Sequence, residues 1–455
     1  MKKILNKRNS LLALLAVTMF TGFTSCNKEY INPSQASTGS VTQSVDALMN
    51  LASGLQRRFS IGRLSPCYNL PVAGGYSIFA LRTTNTGNLA ETELEGGRAA
   101  VTGVNSIVSS LWSQCMLGKN ESEILLNSVN IATDAGDKVG LKAYGSIFYA
   151  LNVGSTLQFY ERVPLTTAVN ASFNSREEAI NKIIQVLESV DVDLATTNPS
   201  AKFLSRVPAG IDAKNTVKAL LARYYNMLSM VTGTYNATAG NKAIANAAAV
   251  NLSVKSEFRF STLTLSAFGD NAAGGNVFAA VDSTLGLKNG LAPVPAVTDP
   301  RVGFYIRNVG GNLLMKGFGL TSTTSMPVYL PGEMNLIIAE CNARVGSASL
   351  AASKTALDAV RTKTTDAFGI GANQPAYSGP LTTADLLNDI YKQRRLELFL
   401  SGMELEDSRR FGRIVPIAPP TAINANAERN RLNYYPYPTV ERNNNINTPV
   451  DPSTY

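Results

Sequence analysis

Residues 394–412 read RRLELFLSGMELEDSRRFG, and this stretch decides how the rest of the chain is read. Its first half continues an apolar period near 3.6 that starts at residue 383, so it predicts a helix running to about residue 400. Arg394, Arg395 and Glu397 precede Gly402; Glu406, Asp407, Arg409 and Arg410 follow it. Opposite charges at this density can pin two helices together through charge-assisted hydrogen bonds. The reading is structural ion pairing, because an active site would need a pair of carboxylates turned toward a pocket. A helical fold closed by a charge network is expected.

Working outward, the same periodicity recurs along the chain. Val45, Leu48, Met49, Leu51, Ala52, Leu55 and Phe59 mark a first helix, and residues 105–131 a second through Ile107, Val108, Leu111, Trp112 and Met116. Residues 139–160 are strongly apolar. Ser175 with Glu178 makes a capping box ahead of Ile180, Ile183, Ile184 and Leu187, and Asp212 opens a helix through Val217, Leu220, Leu221, Tyr224 and Leu228. Helices return at residues 331–345, 352–360 and 383–400. Between them, residues 251–325 are rich in Gly, Ser, Thr and Asn, with turn signals at Gly274-Gly275 and Gly310-Gly311. The segment from residue 414 onward is rich in Pro and Asn and reads as irregular. Helices at this spacing suggest stacked hairpins of tetratricopeptide type; an irregular helical domain without repeats fits the periodicity equally well.

The composition narrows the function. Of 455 residues, 45% are apolar and 16% charged, which excludes a disordered, collagen-like or coiled-coil protein. The absence of histidine removes Ser-His-Asp and Cys-His catalysis, HExxH zinc sites and imidazole switches. No G-x-S-x-G, P-loop or G-x-G-x-x-G motif occurs, and the one Ser-x-x-Lys runs from Ser25 to Lys28. Glu91, Glu93 and Glu95 alternate and read as solvated loop residues rather than as a glycosidase pair, which needs carboxyl groups in two unlike settings. Trp112, the single tryptophan, lies on an apolar helix face and reads as core. No catalytic residue, metal or cofactor is assigned. Binding is the expected activity.

The net charge of +8 includes Lys2, Lys3, Lys7 and Arg8, which precede an apolar run at residues 11–20; without these four it falls to +4. That arrangement reads as a secretory signal over residues 1–25, too short in its apolar part to span a bilayer. The remaining basic residues are scattered, so nucleic acid is not an expected partner. Phe23-Thr24-Ser25-Cys26 resembles a bacterial lipobox, with Phe23 where an aliphatic residue is usual. Cys26 would carry acyl chains, each methylene contributing roughly 0.8 kcal/mol on burial, and residues 26–41 would be a polar tether. The alternative is an ordinary signal peptide with an incidental cysteine. Cys67, Cys115 and Cys341 remain, so at most one disulfide is possible. Cys115 and Cys341 read as small core residues, and Cys67 falls in a loop-like stretch.

Three segments together resemble the SusD/RagB family of Bacteroidetes outer-membrane lipoproteins. The first is residues 394–412, an Arg-Arg-x-Glu-Leu helix followed by a Gly and an Asp-x-x-Arg-aromatic-Gly ending; Gln393, Ser401 and Glu404 depart from the family's usual residues. The second is Pro331-Gly332-Glu333 leading to Ala339-Glu340-Cys341-Asn342-Ala343-Arg344. The third is Tyr435-Pro436-Tyr437-Pro438 with Glu441. Trp112 and residues 144–164 fit as well.

The resemblance implies a mainly α, SusD-like fold with an irregular, loop-rich ligand-binding part. One domain would span 42–455, with a helical part at 42–250, a loop-rich insertion at 251–325 and a C-terminal part at 326–455. It also implies a lipid-anchored protein of the outer membrane, facing the cell exterior. Such a protein captures a nutrient and closes as a lid over a SusC-like TonB-dependent transporter. Ligand contacts would come from residues 62–104 and 255–325, with Tyr68, Tyr76, Phe79, Arg82 and Asn85 from the first and Phe304 and Tyr305 from the second. Aromatic rings stack on sugars or apolar side chains, while Asn and Arg give directional hydrogen bonds. An oligosaccharide is the first choice of ligand and an oligopeptide the second. The alternatives of another class are an envelope scaffold of helical repeats without a small ligand, and a histidine-free glycosidase.

Overall fold

The computed structural model describes residues 42–97, 100–287, 293–413 and 432–452. The signal at 1–25, Cys26 and the tether at 26–41 lie outside the described residues. The expected helices form with their expected apolar faces inward. Helix α1 (Val45–Ser60) buries Leu48, Met49, Ala52, Leu55 and Phe59. Two further helices, α2 (Pro66–Ser77) and α3 (Leu89–Gly96), occupy the stretch read as a loop. They correct that reading, and they place Cys67 inside a buried helix. Pro71 and Gly74-Gly75 hid α2 from the periodicity, because Pro and Gly are poor helix formers. The glycines serve packing instead: a Cβ at Gly74 would lie 2.5 Å from Glu404 Oε2 and one at Gly75 2.7 Å from a Leu400 methyl.

Next come α4 (Ser106–Ser128), α5 (Ala135–Phe159), α6 (Arg176–Leu194), α7 (Ala201–Arg206), α8 (Ala213–Leu228) and α9 (Ala237–Ala248). Helix α4 packs on α5, α5 on α6, α6 on α8 and α8 on α9, so sequence neighbours are mostly spatial neighbours. Helix α5 is buried almost all round from Val139 to Phe159, as expected of a helix hydrophobic on every face. The Ser175–Glu178 capping box is present in both directions, with Ser175 N–H donating to Glu178 at 2.7 Å. Asp212 caps α8 by accepting from Asn215 N–H at 2.8 Å.

The Gly-rich part carries short strands and helices. Strand β1 (Leu81–Thr83) crosses from the N-terminal half, and β2 (Val163–Pro164) pairs with β3 (Phe173–Asn174). Strand β4 (Glu257–Phe258), α10 (Ala267–Ala273), β5 (Phe278–Ala280), α11 (Pro300–Tyr305), β6 (Ile306–Val309), β7 (Asn312–Met315) and β8 (Met326–Pro327) follow. All pairings are antiparallel: β1 with β5, β4 with β8, and β6 with β7. Gly310 and Gly311 join β6 to β7 with φ of +59° and +86°, the two positive angles that a tight hairpin turn demands.

The C-terminal part holds α12 (Pro331–Val345), α13 (Leu350–Arg361), α14 (Thr383–Glu397), α15 (Glu404–Arg410) and α16 (Thr439–Asn444). Helix α16 interrupts the tail read as irregular. Residues 414–431 of that tail lie outside the described residues. Helix α12 packs on α9, α13 and α14. The charges of residues 394–412 form the expected network. Arg394 Nε donates to Asp407 at 2.8 Å, and Arg410 donates to Asp407 at 2.7 Å and to both oxygens of Glu340 at 2.7 and 3.0 Å. Arg409 donates to Glu406 at 2.8 Å and to the Gln158 carbonyl at 2.7 Å, and Arg176 meets the same Glu406. Helices α5, α6, α12, α14 and α15 are thereby tied at one place.

The tail packs against the C-terminal end of α5, where Arg409 also reaches the Asn433 carbonyl. Trp112 Nε1 donates to Glu441 at 3.0 Å, and its ring packs against Tyr160, Phe173 and Tyr437 at centroid distances of 4.8, 5.9 and 5.7 Å. Tyr435 N–H donates to the Phe159 carbonyl at 2.7 Å, and its hydroxyl lies 2.8 Å from that of Ser77. Trp112 is core, as read. Cys67, Cys115 and Cys341 are free and buried, and burial pushes the Cys115 and Cys341 thiols up to about 12.

Burial alone would raise the Glu340 carboxyl, but Arg410 and Arg344 outweigh it and hold it down at about 2; Arg176 and Arg409 do the same for Glu406. These carboxylates therefore stabilise the fold fully above the unfolded value of about 4.3, and the stabilisation fades as pH falls toward 2. Glu340→Gln leaves Arg410 and Arg344 short of a buried counter-charge and is expected to cost about 3–5 kcal/mol at pH 7. In urea titrations the gap between variant and wild type should narrow at pH 3; a gap independent of pH would show that Glu340 is not ionised in the folded protein.

Candidate functional site

The two segments expected to carry ligand contacts do converge. Arg82 on β1 donates to Asn312 Oδ1 on β7 at 3.0 Å, and the β1–β5 ladder sets Arg82 opposite Ala279. Thr84 Oγ1 donates to the Gly275 carbonyl at 2.6 Å. Around this junction Asn85, Asn308 and Asn312 are exposed and Arg82 is half-buried. The result is a polar surface of amides and a guanidinium, held by short antiparallel strands rather than by free loop.

The tyrosines are placed differently. Tyr68, Tyr76 and Tyr305 are buried at 1, 1 and 3% exposure, and their hydroxyls are used inside the fold. Tyr68 donates to Glu91 at 2.9 Å, Tyr76 sits 3.0 Å from Thr83 Oγ1, and Tyr305 donates to the Glu397 carbonyl at 2.6 Å. Their rings pack rather than face solvent. Phe79 is half-buried with φ +57° at the end of α2, in the left-handed region that non-glycine residues rarely occupy. The acidic run is not a solvated loop either. On α3, Glu91 is buried and also accepts from Arg63 at 2.7 Å, Glu93 accepts from Asn105 at 2.8 Å, and Glu95 accepts from Thr83 N–H at 2.8 Å.

Phe304 belongs to an aromatic cluster that sequence reading caught only in part. Its ring meets Phe318 edge-on at 5.6 Å, and Phe318 meets Phe368 at 6.0 Å; all three are half-buried. Lys255 Nζ lies 5.4 Å from the Phe368 ring. Phe318 stands in a Gly-Phe-Gly triplet after the hairpin, a signal that could have drawn attention to it. Phe368 has no such mark and comes from a distant segment.

Phe318 also lines a cavity of about 110 Å³ beneath this cluster. Its walls are mainly apolar, with Phe59, Phe258, Phe268, Met326 and Leu398. Glu333 is the carboxylate in the lining, and Arg223 holds both of its oxygens at 2.6 and 2.7 Å. Among the described residues no group of three Cys, Asp or Glu side chains could hold a metal ion, and no helix is long and apolar enough to cross a membrane.

Residues 398–403, which connect α14 to α15, form one wall of the cavity. Glu404 steadies this turn by accepting from Ser401 N–H at 2.9 Å. Burial pushes the Glu404 carboxyl up to about 7, against the lowering effect of its backbone hydrogen bonds and of Arg395. A carboxyl raised in the folded state stabilises below the unfolded value of about 4.3 and loses that effect as pH rises through 7. Glu404→Gln should therefore gain in melting temperature relative to wild type between pH 5 and pH 8. A constant difference would mean that Glu404 is already ionised at pH 5. Tyr76→Ala and Tyr305→Ala should each cost about 3–5 kcal/mol as core truncations, whereas Arg82→Ala should stay within roughly 0.5 kcal/mol. Denaturant melts separate the two classes.

The SusD family model matches residues 219–452, more than half of the chain. No curated protein matches the sequence. Among solved structures, a SusD homolog from Bacteroides thetaiotaomicron VPI-5482 superposes with a TM-score of 0.69 at 13% identity, covering 92% of this chain and 99% of its own. NanU of B. fragilis gives a TM-score of 0.64 at 12% identity, with 93% and 100% coverage. A protein from B. vulgatus ATCC 8482 assigned a sugar-binding role gives 0.67 at 14% identity, with 90% and 99% coverage. At these identities the structures establish a common, mainly helical fold. With the family match and the buried network of residues 394–412, they lead to one conclusion: the chain belongs to the SusD family, a family of nutrient-binding proteins.

Proposed function

We propose that this protein is a cell-surface lipoprotein that captures an oligosaccharide and passes it to a SusC-like TonB-dependent transporter, over which it closes as a lid. The observation that carries the reading is the Arg82–Asn312 junction, which joins the two candidate ligand segments into one polar surface on a family member's scaffold. Amide and guanidinium groups match the alternating donors and acceptors of sugar hydroxyls, and the half-buried rings of Phe304 and Phe318 offer stacking faces. The sugar-binding role assigned to the B. vulgatus structural relative supports the same choice. Cleavage after residue 25, acylation of Cys26 and a tether over 26–41 would hold the folded part at the outer membrane, with which the family is associated.

An oligopeptide is the second reading. The half-exposed rings lack hydroxyls, and the tryptophan is buried, so the aromatic surface suits apolar side chains as well as sugar faces. The scaffold alternative predicts no ligand-sized hollow, and the cavity of about 110 Å³ counts against it. A glycosidase needs two carboxyl groups across a cleft, and the cavity lining offers the Arg223-bound Glu333.

Pull-down of the C-terminally tagged chain from detergent-solubilised outer membranes of the native host should recover a TonB-dependent barrel in stoichiometric amount. Recovery of the lipoprotein alone, under conditions that preserve such complexes, would overturn the lid role. On a glycan array, Arg82→Ala combined with Asn312→Ala should lose most of the wild-type signal while keeping the wild-type melting temperature. An unchanged signal would move the ligand site elsewhere.

A further inference from the structure

The cavity and its mouth differ in chemistry. Inside, Phe59, Phe258 and Phe268 are buried and present only carbon, while Gln158 and the Arg223–Glu333 pair, whose charges satisfy each other, also line the wall. A water needs two to four polar partners to be held, and cavities with apolar walls take apolar guests instead; one of about 150 Å³ accommodates benzene. A volume of about 110 Å³ is on the scale of an aromatic ring or a short branched alkyl group.

At the mouth the charge is positive. Lys316 lines the cavity and is exposed, and its Nζ donates to the Gly303 carbonyl at 3.2 Å. Lys255 lies over Phe368, which packs against the half-buried Phe318. Among the described residues neither lysine has a carboxylate within ion-pair distance, whereas Arg259 pairs with Glu257, Arg301 with Asp299 and Lys363 with Asp366. An ammonium group without a counter-charge, that of Lys316, thus stands beside the half-buried Phe318 where a mainly apolar hollow meets solvent, with Lys255 farther out over Phe368.

We infer that the cavity is a binding site for the apolar end of a small amphipathic anion, an aryl or short acyl carboxylate whose carboxylate stays at Lys316. The driving force is removal of the apolar group from water into a space already shaped for it. Lys316 fixes orientation and favours anions over cations, contributing modestly because it remains solvated. This site lies apart from the Arg82–Asn312 surface and does not rest on the glycan reading.

The probe is phenylacetate, with toluene as its uncharged counterpart, added to the full chain in detergent and followed through 13C-methyl methionine resonances. Met315, Met326 and Met403 line the cavity, whereas Met49 is buried in α1 away from it. Ring currents should shift the first three saturably and leave Met49 in place. Lys316→Gln should weaken phenylacetate about two- to fivefold and leave toluene unchanged. Cys67→Leu, which fills the cavity from α2, should weaken both at least about tenfold. Saturable binding without shifts at Met315 and Met326, or no binding of either probe to the wild-type chain, would overturn the inference whether or not the Cys67 variant folds. A chain that binds glycans through Arg82 and Asn312 but gives no methyl shifts loses the cavity site alone.

Discussion

The structure depends on a set of arginines taken out of water. Arg394 and Arg410 are nearly inaccessible, and each is held by carboxylates that are themselves buried. Desolvating such groups costs several kcal/mol per ion, so the arrangement persists only where every partner is in place. That condition constrains the fold. Asp407 can serve Arg394 and Arg410 together only if α14 and α15 meet at one angle, and Glu340 can serve Arg410 and Arg344 only if α12 lies alongside. Arg409 extends the tie to α5 through the Gln158 carbonyl, and Arg176 brings in α6. The apolar stripes make the helices associate. The ion network ties five of these helices at one place, where removing any one partner would leave a buried charge uncompensated.

A second network behaves in the same way beside the first. Arg301 at the start of α11 is fully buried and donates to Asp299 at 2.7 Å, to Gln393 at 2.6 Å and to Glu397 at 3.3 Å. The Gln393 side-chain carbonyl accepts from the guanidinium without adding another charge. Because Tyr305 on the same short helix donates to the Glu397 carbonyl, the loop-rich part is fixed to α14 at its base. Its outer edge, the β6–β7 hairpin with exposed Asn308, Val309 and Asn312, is held instead by exposed hydrogen bonds, from Arg82 to Asn312 and from Arg307 to the Ala273 carbonyl.

This division explains what could be read in the sequence. The long helices were legible because each buries one stripe at a period of 3.6, and the capping residues Ser175 and Asp212 mark their starts. The network of residues 394–412 was legible because charge at that density has few other uses in a chain only 16% charged. Helix α2 was not, since its glycines answer to Glu404 and Leu400, which lie far away along the chain. Nor were the roles of the tyrosines: composition shows that Tyr68, Tyr76 and Tyr305 are available, but only the fold shows that their hydroxyls end on Glu91, Thr83 and the Glu397 carbonyl. Arg82 and Asn85 could be named from residue type alone, while Asn312, the partner of Arg82, required the fold that brings β7 beside β1. Phe368 reaches the aromatic cluster from a segment with no local signal.

The two networks and the cavity share walls, and this determines which parts of a ligand can be discriminated. Gln158, Arg223, Glu333 and Met403 line the cavity on the side of the ion network, where they also bound a void of about 10 Å³ among Arg394, Glu406 and Arg410. The turn at residues 398–403 completes that wall with Leu400 at φ +58° and Gly402 at +83°. A left-handed leucine costs roughly 1–3 kcal/mol and persists only where its surroundings over-determine it, as they do here between Arg394–Asp407 on one side and α2 on the other. An inner wall so constrained cannot adapt, so the size of a guest is limited there. The mouth, built from the half-buried Phe318 and the exposed Lys316, rests on side chains with room to move. Size is set by the motif that holds the fold together, and charge and orientation are set by the loop-rich part attached to it.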